Sequence, residues 1–111
     1  MITANAPTFL FETAQGVPMT VAVYAAGEAI HTGRDRHYIN TAGQAVAAFY
    51  DRRYCDPPFH PEYGQFIADY YVSDLRGHAP TAGLRLQGDV DAWTIDAATM
   101  QDVVAFLERV R

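Results

Sequence analysis

One stretch limits the folding of this chain more than any other: residues 59–77, FHPEYGQFIADYYVSDLRG. Tyr63, Phe66, Ile67, Tyr70, Tyr71 and Leu75 stand at the spacing of one helix face. Pro61 suits a first helical turn, and Gly77, with Pro80 beyond it, supplies a stop. Of the 14 Phe, Tyr and Trp residues of the chain, eight fall between Phe49 and Tyr71. Each large aromatic brings roughly 150–250 Å² that has to be covered. The spacing therefore predicts a central aromatic helix with the other elements arranged over it. Tyrosine differs from phenylalanine in having a hydroxyl that needs a partner. Tyr50, Tyr54, Tyr63, Tyr70 and Tyr71 are accordingly expected at the rim of the core, where a tyrosine also suits a partner surface.

Before this stretch, Thr8–Thr13 alternates with Phe9 and Phe11 on one side. Met19–Ala25 alternates with Met19, Val21 and Val23 on one side. The turn 14–17 between them makes a hairpin, with Pro18 at a strand start where its missing N–H does no harm. Glu28–His31 reads as a short third strand and His31–Tyr38, HTGRDRHY, as a long polar loop. Thr41-Ala-Gly-Gln44 has the form of a capping box. Ala42, Ala45, Val46, Phe49 and Tyr50 then predict a helix to about Tyr54, broken by Cys55-Asp-Pro-Pro58. After the central helix, Leu84 and Leu86 share one face, and Trp93 and Ile95 another, across a turn at Gly88-Asp89: a second hairpin. Asp96 is an N-cap, with Ile95 stapled to Met100. Met100, Val103, Val104, Leu107 and Val110 form the inward stripe of a last helix, and Arg109 and Arg111 suit its C-terminal end.

The expectation is a single α+β domain over residues 1–111. Two hairpins form one antiparallel sheet and about three helices pack on it, in the order β-β-α-α-β-β-α. The expected core is Phe9, Phe11, Val21, Val23, Val46, Phe49, Phe66, Ile67, Tyr70, Leu84, Leu86, Trp93, Val103 and Leu107.

Composition excludes more chemistry than it suggests. The formal net charge is −5, and every Lys or Arg position is arginine. Residues 54–111 hold four arginines against nine acids, so the acidity lies in the C-terminal half. Such a balance disfavours direct binding to nucleic acid or to an anionic membrane. No apolar run approaches the ~20 residues needed to cross a bilayer. The start, MITANAPTFLFET, lacks the pattern of a signal peptide. With one cysteine, Cys55, there is no disulfide within the chain, and a cytoplasmic location is the default.

His31, His37, His60 and His78 show no metal-ligand spacing. They are expected as solvated or capping residues in loops and at helix ends, and neither metal nor cofactor is expected. Cys55 and His60 are close enough in sequence for a thiol–imidazole pair, yet no oxyanion-type turn accompanies them. No catalytic residue is assigned. The glycines make no phosphate-binding loop. Arg34, Arg36 and Tyr38 form the densest polar cluster and are candidates for a small anion site. Asp69 and Asp74 on the outer side of the central helix, with Asp89 and Asp91 at the second turn, are candidates for a partner surface. So are Tyr54, Tyr63 and Tyr71.

In its size, its acidity and the absence of catalytic motifs the whole chain resembles the small accessory proteins of phages and mobile elements, among them the anti-CRISPR inhibitors. The resemblance is one of type and carries over no residue. It implies a non-catalytic protein that occupies a surface of a larger nucleic-acid-handling machine, with acids placed where nucleic acid would lie. Two other readings accompany it: a small ligand-binding protein or enzyme using the Arg34–Tyr38 loop, and a self-associating protein whose aromatic surface is a homodimer interface.

Overall fold

A computed structural model describes residues 6–33, 36–54, 63–79, 81–88 and 91–110. The elements in chain order are β1 (Thr8–Glu12), β2 (Pro18–Tyr24), β3 (Ala29–Gly33), β4 (Arg36–Ile39), β5 (Val46–Asp51), β6 (Gln65–Tyr71), α1 (Val72–Arg76), β7 (Leu84–Gln87), β8 (Ala92–Ile95) and α2 (Ala97–Arg109). Strands β1-β2-β5-β6 make a four-stranded antiparallel sheet, and β3–β4 and β7–β8 are separate two-stranded ribbons. The described residues are mostly β, 46% strand and 20% helix, and this overturns the expected sheet carrying about three helices.

Two segments account for the correction. Residues 42–54 were expected as a helix, yet Val46–Asp51 is β5, a central strand with all six residues buried. A strand covered on both faces has no polar side, so its sequence is a continuous apolar run that periodicity does not separate from a helix. The Thr41–Gln44 segment caps nothing. Gly43 takes φ 77 in a turn, and the Gln44 side chain accepts a bond from Ser73 Oγ at 2.9 Å.

The second segment is the aromatic stretch itself. Gln65–Tyr71 is β6, and only Val72–Arg76 is helical. The register pairs Phe49 with Ala68 and Tyr50 with Phe66, leaving Ile67 as the extra residue of a β-bulge. Ile67 and Tyr70 consequently join the core on one face of the sheet while Phe66 joins the other. One inserted residue converts the strand period of two into an i, i+3 relation, which has the spacing of a helix face.

Alternation along the central strands supplies both faces. On one, Phe11, Met19, Val21, Val23, Ala47 and Phe49 pack against Val72 and Leu75 of α1, Leu86 and Ile95 of the β7–β8 ribbon, and Met100, Val103, Phe106 and Leu107 of α2. On the other, Ala22, Tyr24, Val46, Ala48 and Tyr50 pack against Ile30 of β3, with Tyr63 and Phe66. Trp93, expected inside the core, is half-buried at its margin. Asp96 caps α2 as expected, accepting from the Thr99 N–H at 2.8 Å. At the other end of α2, Arg76 donates to the carbonyls of Leu107 and Val110 at 2.6 and 2.7 Å, which satisfies terminal groups without an intrahelical partner.

The ribbon face is built of tyrosines. The Tyr24 and Tyr50 hydroxyls are 2.9 Å apart, and the Tyr50 hydroxyl also donates to the His31 carbonyl. Tyr63 stacks on Tyr50 with ring centroids 5.4 Å apart. Tyr63, expected at the rim, is fully buried. His31, expected in a solvated loop, is also fully buried on β3, its ring 5.7 Å from that of Tyr63. The polar stretch 31–38 is thus mostly ribbon, with Ile30 paired to Tyr38, His31 to His37 and Gly33 to Arg36.

Burial makes the tyrosine hydroxyls weaker acids, and this gives a pH prediction. Desolvation is the largest cause at Tyr24, Tyr38, Tyr50 and Tyr70, all of which are pushed above the ordinary value of 10.0. The unfolded chain releases these protons near the ordinary value, whereas the folded chain retains them to higher pH. Stability is therefore complete below the ordinary tyrosine pKa and falls as pH rises above it. Urea midpoints are expected to fall steeply between about pH 9 and about pH 12. In the folded protein, part of the phenolate absorbance is expected to appear late. All seven tyrosines titrating together in the native state would contradict this.

Candidate functional site

A groove of about 530 Å³ is lined by the β3–β4 ribbon, the outer strand β6, residues 40–42 and Asp74 of α1. Its floor is Val46 of β5, and its walls carry Tyr38, Ile39, Asp69, Tyr71 and Asp74. The local structure explains the convergence. Tyr38 pairs with buried Ile30 across the ribbon, so both belong to the side turned to the sheet. Asp69 pairs with Ala48 and Tyr71 with Val46, and Ala48 and Val46 belong to the ribbon-side core. The bulge at Ile67 is what places Asp69 on this side. Asp74 follows one turn later, in α1.

Asn40 ties the residues 40–44 side of the groove to the end of β2. Its amide donates to the carbonyls of Tyr24, Ala25 and Gln44 at 3.3, 3.1 and 2.9 Å, and its Oδ1 accepts from the Ala42 N–H at 3.1 Å. Across the groove the Tyr38 hydroxyl donates to Asp69 Oδ2, tying ribbon to sheet. Burial first, and then the Asp69 carboxylate, holds the Tyr38 hydroxyl protonated well above the usual tyrosine range.

The lining is acidic and aromatic. It includes two exposed carboxylates, Asp69 and Asp74, and no basic side chain among the described residues. Tyr38, Ile39 and Tyr71 are 42, 49 and 43% exposed there, although they are large and apolar. Four of the residues singled out in the sequence meet in this one place: Tyr38, Asp69, Tyr71 and Asp74. Ile39 and Asn40 were not foreseen. The signal for Asn40 was the Asn-x-x-Gly turn pattern at 40–43, where an Asn side chain bonds the backbone two residues on.

The other candidates lie elsewhere. Tyr54 is past the far end of β5, beside a stack in which the Arg53 guanidinium sits 5.1 Å from its ring centroid and 5.0 Å from that of Trp93. Arg53 also pairs with the buried carboxylate of Asp51 at 2.9 Å. Asp91 is exposed at the β7–β8 turn, and its carbonyl accepts from the Gly88 N–H. Arg36 is exposed on β4. Arg34, Asp89, Cys55 and His60 lie outside the described residues, so the thiol–imidazole pair and the full Arg34, Arg36, Tyr38 cluster do too. Tyr38 itself faces a carboxylate, which repels an anion.

Among the described residues no group of three or more His, Cys, Asp or Glu side chains gathers as a metal site. Among them, too, no helix is long and apolar enough to cross a membrane. No protein-family model, no curated protein and no solved structure matches the chain.

Proposed function

We propose that the chain is a non-catalytic protein-binding module of the cytoplasm, and that the groove between ribbon and sheet receives a basic side chain of its protein partner. The carrying observation is that Asp69 and Asp74 share one groove with Tyr38 and Tyr71, with no basic group in the described lining. A guanidinium or ammonium entering it meets charge-assisted acceptors and aromatic faces, each worth about 0.5–2 kcal/mol to a cation. The net charge of −5 steers the same kind of partner over longer range. An inhibitor that covers the basic surface of a nucleic-acid-handling complex has these properties: its carboxylates stand where phosphates would.

The test uses a hexaarginine peptide and backbone amide shifts. Shifts are expected to concentrate on residues 38–42 and 69–74, with affinity falling steeply as salt rises. Asp69→Asn with Asp74→Asn is expected to weaken binding at least tenfold. Asp102→Asn with Glu108→Asn removes the same charge from exposed positions of α2 and is expected to change it little. Equal losses in the two double variants would reduce the effect to net charge and remove the groove from the account.

A further inference from the structure

We infer that the outer edge of β1 pairs with the same edge of a second copy of the chain, joining two four-stranded sheets across a two-fold axis. The parity of hydrogen bonding shows which groups are available. The Val23 N–H donates to the Pro7 carbonyl and the Thr13 N–H to the Val17 carbonyl, both at 3.0 Å. Bonded pairs alternate along an antiparallel ladder, and the intervening register is Phe9 with Val21 and Phe11 with Met19. Pro7, Phe9, Phe11 and Thr13 therefore face β2. The N–H and C=O groups of Thr8, Leu10 and Glu12 point away from the sheet, and among the described residues no strand pairs with them.

The two edges of the sheet are treated differently. At β6 the bulge at Ile67 breaks the regular run, Asp69 places a charge on the strand, and the Tyr70 hydroxyl reaches the Arg85 carbonyl of β7 at 3.3 Å. These are devices that keep an edge from pairing. Strand β1 has none of them: no proline, no bulge in its pairing with β2, and its one charge, Glu12, at the last position. Leu10, at its centre, is 53% exposed.

A second copy fits this edge in register. Antiparallel pairing centred on Leu10 sets Leu10 against Leu10, Thr8 against Glu12 and Phe9 against Phe11. No like charges meet, and the two exposed leucines cover each other. The phenylalanine pairs extend a row that already exists, with Phe9 stacked 6.5 Å from Phe11 and 5.5 Å from Phe106. The ladder also has a defined end. The Ala14 N–H is occupied by the Thr94 carbonyl at 2.7 Å, and the Thr94 N–H donates to Gln15 Oε1 at 3.1 Å. Because the interface is isologous, both ends stop in the same way and the assembly closes as a dimer rather than growing.

Sedimentation equilibrium of the full chain, from low micromolar to near millimolar, tests this. The mass is expected to rise from one chain to two and no further. Leu10→Lys sets two ammonium groups against each other on the axis and, being at an exposed position, leaves the fold intact by circular dichroism. It is expected to weaken self-association at least tenfold. Hydrogen exchange gives an independent reading: the Thr8, Leu10 and Glu12 amides are expected to slow with concentration, while those of Phe9 and Phe11 do not change. Self-association that survives Leu10→Lys overturns the proposal, as does protection of the three amides that ignores concentration. A single-chain mass at every concentration overturns it as well and leaves the edge to a strand of another protein.

Discussion

Gly64→Ala is expected to cost about 3–5 kcal/mol, a large share of the stability of a domain this size. Two causes act together. Gly64 has φ +79, a region that side chains rarely adopt, and a Cβ there would lie 2.2 Å from the Asp51 carbonyl oxygen and 2.8 Å from the Arg52 Cα. Those neighbours are backbone at the end of β5, so no side chain can turn aside. Gly16 separates the two causes, because it has the same φ of +79 and nothing within 4 Å of its added Cβ. Gly16→Ala is expected to cost only the backbone strain, about 1–2 kcal/mol. Urea unfolding of the two variants measures the difference. Equal losses would mean that the close approach between residues 51 and 64 is not a constraint on folding.

Asn40→Ala is expected to cost about 2–4 kcal/mol. The residue is 3% exposed, and its side chain bonds three carbonyls and one N–H drawn from the end of β2, the segment after it and the turn 42–44. Removing it takes a partner from four backbone groups at once, although the Ala25 carbonyl keeps the Glu28 N–H, and any group left unsatisfied costs more than its bond contributed. Asn40→Asp keeps the acceptor for Ala42 but turns a carboxylate toward three carbonyls, so it is expected to cost at least as much. Because Asn40 follows β4 directly, amides of the β3–β4 ribbon are expected to exchange faster in both variants while those of β2 and β5 hold. A loss below about 1 kcal/mol in Asn40→Ala would show that water replaces the side chain adequately.

What the sequence disclosed follows from which elements keep an alternation or a cap in their residues; β2, although buried on both faces, keeps one because Thr20 and Ala22 separate Met19, Val21 and Val23. Strands β1 and β2, the short strand β3, the β7–β8 ribbon and the Asp96-capped α2 all stand close to where alternation or capping signals put them. Strand β5 was illegible because burial on both faces erased its alternation, and with alanines at 47 and 48 it also has residues of high helix propensity. Strand β6 misled through its bulge, which moves Ile67 and Tyr70 to one face and sends Phe66 to the other. Four groove residues, Tyr38, Asp69, Tyr71 and Asp74, were nameable as polar or aromatic side chains suited to a site or a partner surface. Their convergence was not, since Tyr38 and Asp69 are 31 residues apart and meet only if residues 36–39 form a strand folded over the sheet. Tyr63 departs from its expected place at the rim for a related reason: a hydroxyl that needs a partner points to the edge of a core, whereas this fold buries tyrosines together.

The bond from Tyr38 to Asp69 gives the groove a thermodynamic property of its own. Asp69 has two carboxylate oxygens and Oδ2 accepts from Tyr38, so under the proposed function a cation in the groove and the hydroxyl that holds β4 share one carboxylate. Closure of the ribbon and occupancy of the groove through Asp69 are then linked functions. By reciprocity, whatever factor closure takes from the affinity, occupancy takes from closure. Under the proposed function, a cation held at Asp69 is expected to register at β4 as a change in how firmly the Tyr38 hydroxyl is held.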